Sequence, residues 1–282
     1  MKLETSDHRG HLTPLLVSRA HRAEDTIVTV AGARFGGRGL SFIAGPCAVE
    51  NRDQLRRGAE AAAQGGARLL RGGAYKPRTS PYSFQGLGEA GLHLLREVAD
   101  EFGLGIVTEV MAGEHVPLVA SYADVLQIGS RNAQNFELLR AVAKVPRAVL
   151  LKRGMMSTLD EYLLAAEYIL AGGNPNVILC ERGIRTFEPS IRNTFDVVAI
   201  PALKERTHLP VIADPSHATG KASLVEPAAL AAVAAGAHGL LMDVHSDPEK
   251  ALCDGAQALL PSEYLRLVAR CLAVHRALLG EG

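Results

Sequence analysis

From Ser41 onward the chain alternates between short runs of β-branched or aliphatic residues and segments with helical periodicity. Eight such runs can be placed, at 41–44, 69–71, 105–108, 125–128, 148–152, 177–180, 210–213 and 239–243. Strands that are each followed by a helix pair in parallel, and eight is the number that closes such a sheet. The expected fold is an α/β chain forming a (β/α)8 barrel over residues 40–282, with an open doubly wound sheet as the alternative.

The helices carry their own signals. Thr158 and Glu161 form a capping box ahead of a face containing Leu159, Leu163, Ala166 and Leu170. Ser223 and Glu226 are expected to open another helix, an Ala-rich run that stops at Gly236. Pro261 opens the last, with Leu265, Val268, Leu272 and Leu279 on its buried side. Residues 1–39 read as an N-terminal extension and a β-hairpin, in which 26–30 alternates and Gly36, Gly37 and Gly39 supply a turn signal.

Composition narrows the function classes. Thirty basic residues balance thirty acidic ones, so the overall field gives no reason to bind nucleic acid or a membrane surface. No stretch approaches the ~20 apolar residues of a membrane span, and no apolar leader precedes the first charges. The four cysteines, Cys47, Cys180, Cys253 and Cys271, form no C-x-x-C pair and imply no disulfide framework. A cytoplasmic enzyme is expected.

A parallel barrel does its chemistry at the C-terminal ends of its strands. Reading only those positions collects six cations, Arg71, Lys76, Arg78, Arg131, Lys152 and Arg182, from several strand ends. Any one of them alone would read as a solvated surface charge. Together they would repel one another around a common mouth unless anions arrive. Guanidinium forks match phosphate and carboxylate oxygens, and lysine adds a point charge. A ligand set with two phosphates and a carboxylate would neutralise such a mouth.

Cys47, His217, Asp243 and Asp254 form a second group. A thiolate, an imidazole and two carboxylates make a plausible divalent-metal site. Their separations are large, and singly Cys47 reads as a small buried residue and His217 as a loop histidine. Spacing leaves both readings open.

Six segments in order then resemble one family. They are Gly-Pro-Cys at 45–47, Arg-Gly-Gly-Ala-Tyr-Lys-Pro-Arg-Thr-Ser-Pro at 71–81 and Ile-Gly-Ser-Arg-Asn at 128–132. Leu-Leu-Lys-Arg-Gly at 150–154, Cys-Glu-Arg-Gly at 180–183 and Asp-Pro-Ser-His at 214–217 complete the set. The chain is similar, from about 42 to 264, to type I 3-deoxy-D-arabino-heptulosonate 7-phosphate (DAHP) synthases of the β subgroup. The resemblance implies a metal-dependent barrel enzyme, usually a homotetramer, that joins phosphoenolpyruvate to erythrose 4-phosphate at the first step of the shikimate pathway.

By residue, it implies a divalent ion (manganese, iron, cobalt or zinc) on Cys47, His217, Asp243 and Asp254. Arg71, Lys76, Arg131, Lys152 and Arg182 would hold phosphoenolpyruvate, and Arg78, Thr79 and Ser80 the aldose phosphate. Lys76, Lys152, Glu109 and His245 are the candidates for catalytic roles, with His245 equally readable as a packed loop residue. The Lys-Pro-Arg-Thr-Ser run separates the family from octulosonate 8-phosphate synthases. Asp243 stands where the family usually has glutamate, and 218–221 and 246–248 also depart from the usual pattern. A synthase using another aldose phosphate and a non-catalytic binding paralogue are the alternative readings.

Overall fold

The computed structural model describes the backbone of residues 4–6 and 12–14 and all of residues 15–281. Eight parallel strands close into a barrel: β5 (Ser41–Gly45), β6 (Leu69–Arg71), β7 (Gly105–Glu109), β8 (Val125–Ile128), β9 (Ala148–Lys152), β10 (Val177–Glu181), β11 (Val211–Ala213) and β12 (Gly239–Asp243). β12 pairs with β5 over its whole length and seals the ring. The expected runs are recovered to within a residue or so at each end. Around the ring lie α1 (Arg52–Gln64), α2 (Glu89–Glu101), α3 (Val116–Tyr122), α4 (Phe136–Val142), α5 (Leu159–Ala171), α6 (Ala199–Arg206), α7 (Pro215–Thr219), α8 (Ala222–Ala234) and α9 (Pro261–Leu279).

The period-two alternation of each strand sorts its residues into two cores. Ala44, Leu70, Ile106, Leu126, Leu151, Leu179 and Met242 point outward and pack beneath the helices. Ile43, Leu69, Val107, Val125, Leu150, Ile178, Ile212 and Leu241 point inward and fill the barrel. A hairpin of β3 (Val28–Val30) and β4 (Ala33–Phe35) closes the N-terminal end, its Val28 and Phe35 packed into that inner cluster. Its turn is at Ala31 and Gly32, both with positive φ, the backbone that suits the strands' twist. The Gly36–Gly39 run expected to make the turn instead follows the second strand. Ahead of it, β1 (Glu4–Ser6) pairs with β2 (Leu12–Pro14), an element the weak periodicity of this stretch did not signal.

Two helix expectations are corrected. The Thr158 capping box of α5 forms, but α8 begins at Ala222 with Lys221 as its cap, placing Ser223 inside the first turn. The Glu226 carboxylate is drawn away to Arg270 of α9. On α9 the buried residues are Tyr264, Leu267, Val268 and Cys271, while Leu272 is exposed. Both faces satisfy a 3.6-residue period. The bulky Tyr264, seated against Gly65 and wholly buried, decides between them.

His238 ties the bottom of the barrel together. Its Nδ1 accepts the Val211 N–H at 3.0 Å, its carbonyl accepts from Ser41 and its N–H donates to Val211. Burial, with Lys204 nearby, pushes its pKa down from 6.5 to about 4. The unfolded chain therefore takes up this proton first, and stability falls as pH drops from 6.5 through 4. His238→Gln should remove up to about 3 kcal/mol of that acid loss. Urea midpoints measured from pH 7 down to pH 4 check this, and a variant with the parent's pH slope would refute it.

Candidate active site

The site is the next layer of the same alternation. One step of two beyond the inner apolar residues come Gly45, Arg71, Glu109, Gln127, Lys152, Asp214 and Asp243, and Arg182 stands one step beyond Cys180, which follows Ile178 in the inner cluster. The top of the barrel interior is therefore polar because the strands run one residue pair further than their apolar filling. Two glycines make room. Gly45 has φ +147, and a Cβ there would lie 2.2 Å from the Arg71 carbonyl, so only glycine lets Pro46 and Cys47 turn over the rim. A Cβ on Gly129 would meet Glu109 Oε1 at 2.0 Å.

Four charges of this layer are paired in the wall. Lys152 Nζ lies 2.5 Å from Asp214 Oδ2, and Arg71 is bound to Asp243, all four nearly inaccessible. Burial works against the charge of Arg71, but Asp243 and the Cys47 thiol outweigh it and hold the guanidinium more firmly protonated than usual. Asp214 also accepts the His217 N–H at 2.9 Å, capping α7 behind Pro215. The Asp-Pro-Ser-His segment thus has a structural meaning, since the cap fixes the histidine one turn above the strand.

His217 is oriented by that cap. Its Nδ1 faces Asp214 Oδ2 at 2.9 Å, leaving Nε2 directed at Cys47 Sγ (3.7 Å) and Asp254 Oδ2 (3.6 Å). Burial lowers its pKa to about 4, against the pull of Asp214, so the ring is neutral near pH 7. Asp254 Oδ2 is 3.1 Å from Cys47 Sγ. Burial would raise the Asp254 carboxyl, but His217 and Arg192 outweigh it and hold it below the usual carboxylate range. Cys47, His217 and Asp243 each offer a donor atom within 4.8 Å of the others, as do Cys47, Cys253 and Asp254. These are potential metal-binding groups. A neutral imidazole with its second nitrogen on a carboxylate is the state a metal-ligating histidine needs.

Beside this cluster opens a cavity of about 340 Å³. Of the six cations expected to meet, Lys76, Arg78, Arg131, Lys152 and Arg182 line it, with Thr79, Ser80, Glu109, His217 and Asp254. Arg71, Cys47 and Asp243 lie outside the lining, Arg71 turned away from the cavity onto Asp243. His245 also lies outside it; its Nε2 is 3.6 Å from Glu50 and its Nδ1 accepts the Asp247 N–H, a packed loop arrangement.

Sequence reasoning missed Arg185, Arg192 and Cys253, all in the lining. The two arginines sit on the long loop after β10, and a search confined to strand ends stops at Gly183. Cys253 adjoins Asp254, and that adjacency was the available signal. The lining among the described residues thus holds seven cations, Lys76, Arg78, Arg131, Lys152, Arg182, Arg185 and Arg192, against Glu109 and Asp254. Arg78 Nη1, Arg182 Nη1 and Ser130 Oγ are buried there without a hydrogen-bond partner. Burial lowers the Arg182 pKa, with Asp214 only partly compensating and the neighbouring Arg192 adding to the depression. Unpaired buried guanidinium nitrogens are costly and are completed by an anionic ligand.

Comparison with known proteins gives the same family from three directions. The sequence model of the DAHP synthetase I family matches residues 25–274. A phospho-2-dehydro-3-deoxyheptonate aldolase of Thermotoga maritima is 53% identical over 244 residues, covering 86% of this chain and 72% of that protein. A 2-dehydro-3-deoxyphosphooctonate aldolase of Syntrophobacter fumaroxidans is 32% identical over 265 residues, covering 88% and 91% of the two chains. Among solved structures, the Thermotoga maritima DAHP synthase superposes with a TM-score of 0.91 at 50% identity, covering 93% of this chain and 77% of that one. A truncated form of the Thermotoga maritima enzyme gives 0.87 at 47% identity, covering 93% and 97%.

Proposed function

This chain belongs to the DAHP synthetase I family, and on that footing we propose that it condenses phosphoenolpyruvate with erythrose 4-phosphate and water, giving DAHP and inorganic phosphate at the first step of the shikimate pathway. The observation that carries this reading is the cation-lined cavity with two separately orphaned guanidinium groups, Arg78 and Arg182, beside a thiol, imidazole and carboxylate cluster. Two phosphoryl groups and a carboxylate supply the negative charge those nitrogens lack. The closer similarity to the heptonate aldolase than to the octonate aldolase, together with Lys-Pro-Arg-Thr-Ser at 76–80, favours the four-carbon acceptor.

Arg182, Lys152, Lys76 and Arg131 hold phosphoenolpyruvate, and Arg78, Thr79 and Ser80 hold the phosphate of the aldose. Arg71 acts from beneath, by fixing Asp243. Bringing two polyanions to contact distance is costly in water, and a preorganised ring of cations offsets that repulsion. The enol C3 attacks the aldehyde, water adds at C2, and the phosphohemiketal loses phosphate toward Lys152 and Arg182. Lys152, held by Asp214, is placed to relay a proton, and Glu109 to orient the attacking water. The position of His245 favours its packing role. Cys47, His217 and Asp254 would hold a divalent ion, with Asp243 behind them. Such an ion supplies Lewis acidity beside the aldehyde oxygen when bound. A homotetramer is the proposed assembly and the cytoplasm the proposed setting. Among the described residues no helix is long and apolar enough to cross a membrane.

A panel of aldose phosphates assayed by phosphate release tests the reaction. Release should require phosphoenolpyruvate and aldehyde together, with kcat/KM for erythrose 4-phosphate about 10²-fold above that for arabinose 5-phosphate. Release without any aldehyde, or binding without turnover under every metal, would overturn the reading. Arg78→Ala separates the two phosphate pockets. It should raise KM for the aldose phosphate about 30-fold while leaving KM for phosphoenolpyruvate within about twofold. Equal rises in steady-state assays would mean that the pockets are misassigned.

A further inference from the structure

Four donors were expected around the ion, yet both oxygens of Asp243 are already engaged within the protein. One of its carboxylate oxygens is bound by Arg71, and the other accepts from Gln257 Nε2 at 2.6 Å. Its approach to His217 is also on the wrong side of the ring. Asp243 Oδ2 lies 3.6 Å from Nδ1, the nitrogen that Asp214 already holds, whereas Cys47 and Asp254 gather at Nε2. Aspartate is one methylene shorter than glutamate, and here its carboxylate rests on Arg71 and Gln257.

A different side chain stands beside Cys47 and Asp254. Cys253 Sγ is 3.6 Å from Cys47 Sγ and shares a 4.8 Å donor group with Cys47 and Asp254. Two thiolates on one tetrahedral ion, with metal–sulfur bonds of about 2.3 Å, are separated by about 3.8 Å. Three of the other five edges have the same scale: Cys47 to His217 is 3.7 Å, His217 to Asp254 is 3.6 Å and Cys47 to Asp254 is 3.1 Å. Cys253 also lines the cavity, as His217 and Asp254 do. Lys76 Nζ, 3.1 Å from Cys47 Sγ, offsets the charge that a second thiolate adds.

We propose that Cys253 is a metal ligand, completing a Cys47–His217–Asp254–Cys253 set in which a second thiolate replaces the carboxylate of Asp243. The inference rests on the proposed metal site and goes beyond it by changing one ligand. A donor set with two thiolates is softer than one with a single thiolate, and favours zinc, cobalt or iron over manganese. Asp243 then acts as a positioning residue, holding Arg71 and Gln257 in the wall.

The test counts sulfurs, without reference to activity. X-ray absorption of the unmutated, zinc-loaded protein should show two sulfur neighbours at about 2.3 Å. In the cobalt-loaded protein, Cys253→Ser should lower the near-ultraviolet thiolate charge-transfer band by about half at saturating metal. One sulfur in the parent, with the band unchanged in Cys253→Ser and lost in Cys47→Ser, would overturn this proposal and leave the metal reading standing. No sulfur around the ion would overturn both.

Discussion

Dialysis against a chelator should abolish phosphate release, by about 10³-fold or more, and added manganese, iron, cobalt or zinc should restore it. The size of the loss follows from what the cavity walls do not supply. In the proposed reaction their cations would meet two phosphates and a carboxylate, and the aldehyde oxygen, where charge develops, would be left to the Cys47, His217 and Asp254 cluster. Several kcal/mol of transition-state stabilisation therefore vanish with the ion. The fold should survive its removal. The cluster sits on a closed barrel whose inner charges are already paired within the protein, Lys152 with Asp214 and Arg71 with Asp243. Far-ultraviolet dichroism before and after chelation should coincide. Activity indifferent to the chelator would remove the ion from the mechanism.

Arg182→Met should produce opposite effects on catalysis and stability. Arg182 is 5% exposed, its Nη1 meets no hydrogen-bond partner, and burial depresses its pKa with little compensation. Without substrate it is a buried cation that costs stability, and an apolar side chain of similar length relieves that cost. Replacing such a charge should raise stability by about 1 kcal/mol, or about 2 °C in Tm for a chain of this size. In the proposed reaction the same change would remove a donor from the phosphoryl group of phosphoenolpyruvate, and kcat/KM should fall about 10³-fold. Calorimetry and steady-state kinetics on one preparation check both halves. A lower Tm would show that Arg182 has a partner within the protein, and unchanged kinetics would show that it does not meet substrate.

The barrel was legible because its strands are buried on both faces and read as unbroken apolar runs, closed by glycine or proline at the turns. The cation layer was legible for a related reason. Each site residue follows its strand's apolar filling by one more step, so strand ends such as Arg71 and Lys152 name themselves. What escaped lies where periodicity carries no information. The turn at Ala31 and Gly32 depends on two positive φ angles, and the Gly36–Gly39 run looked the stronger signal. The face of α9 was settled by Tyr264 against Gly65, a contact between distant segments. Arg185 and Arg192 sit on a loop whose path over the cavity has no local code. The metal cluster was legible only as a list of types. That Asp243 belongs to Arg71 and Gln257, while Cys253 stands beside Cys47, depends on distances across the barrel mouth.

The proposed reaction depends on where two anions and one ion sit together. The most direct measurement is anomalous diffraction from crystals soaked with zinc and phosphoenolpyruvate. The metal peak should lie within bonding distance of Cys47 Sγ, His217 Nε2 and Asp254, with the phosphoryl group against Lys152 and Arg182. A metal peak elsewhere, or phosphoenolpyruvate seated instead against Arg78, Thr79 and Ser80, would contradict it.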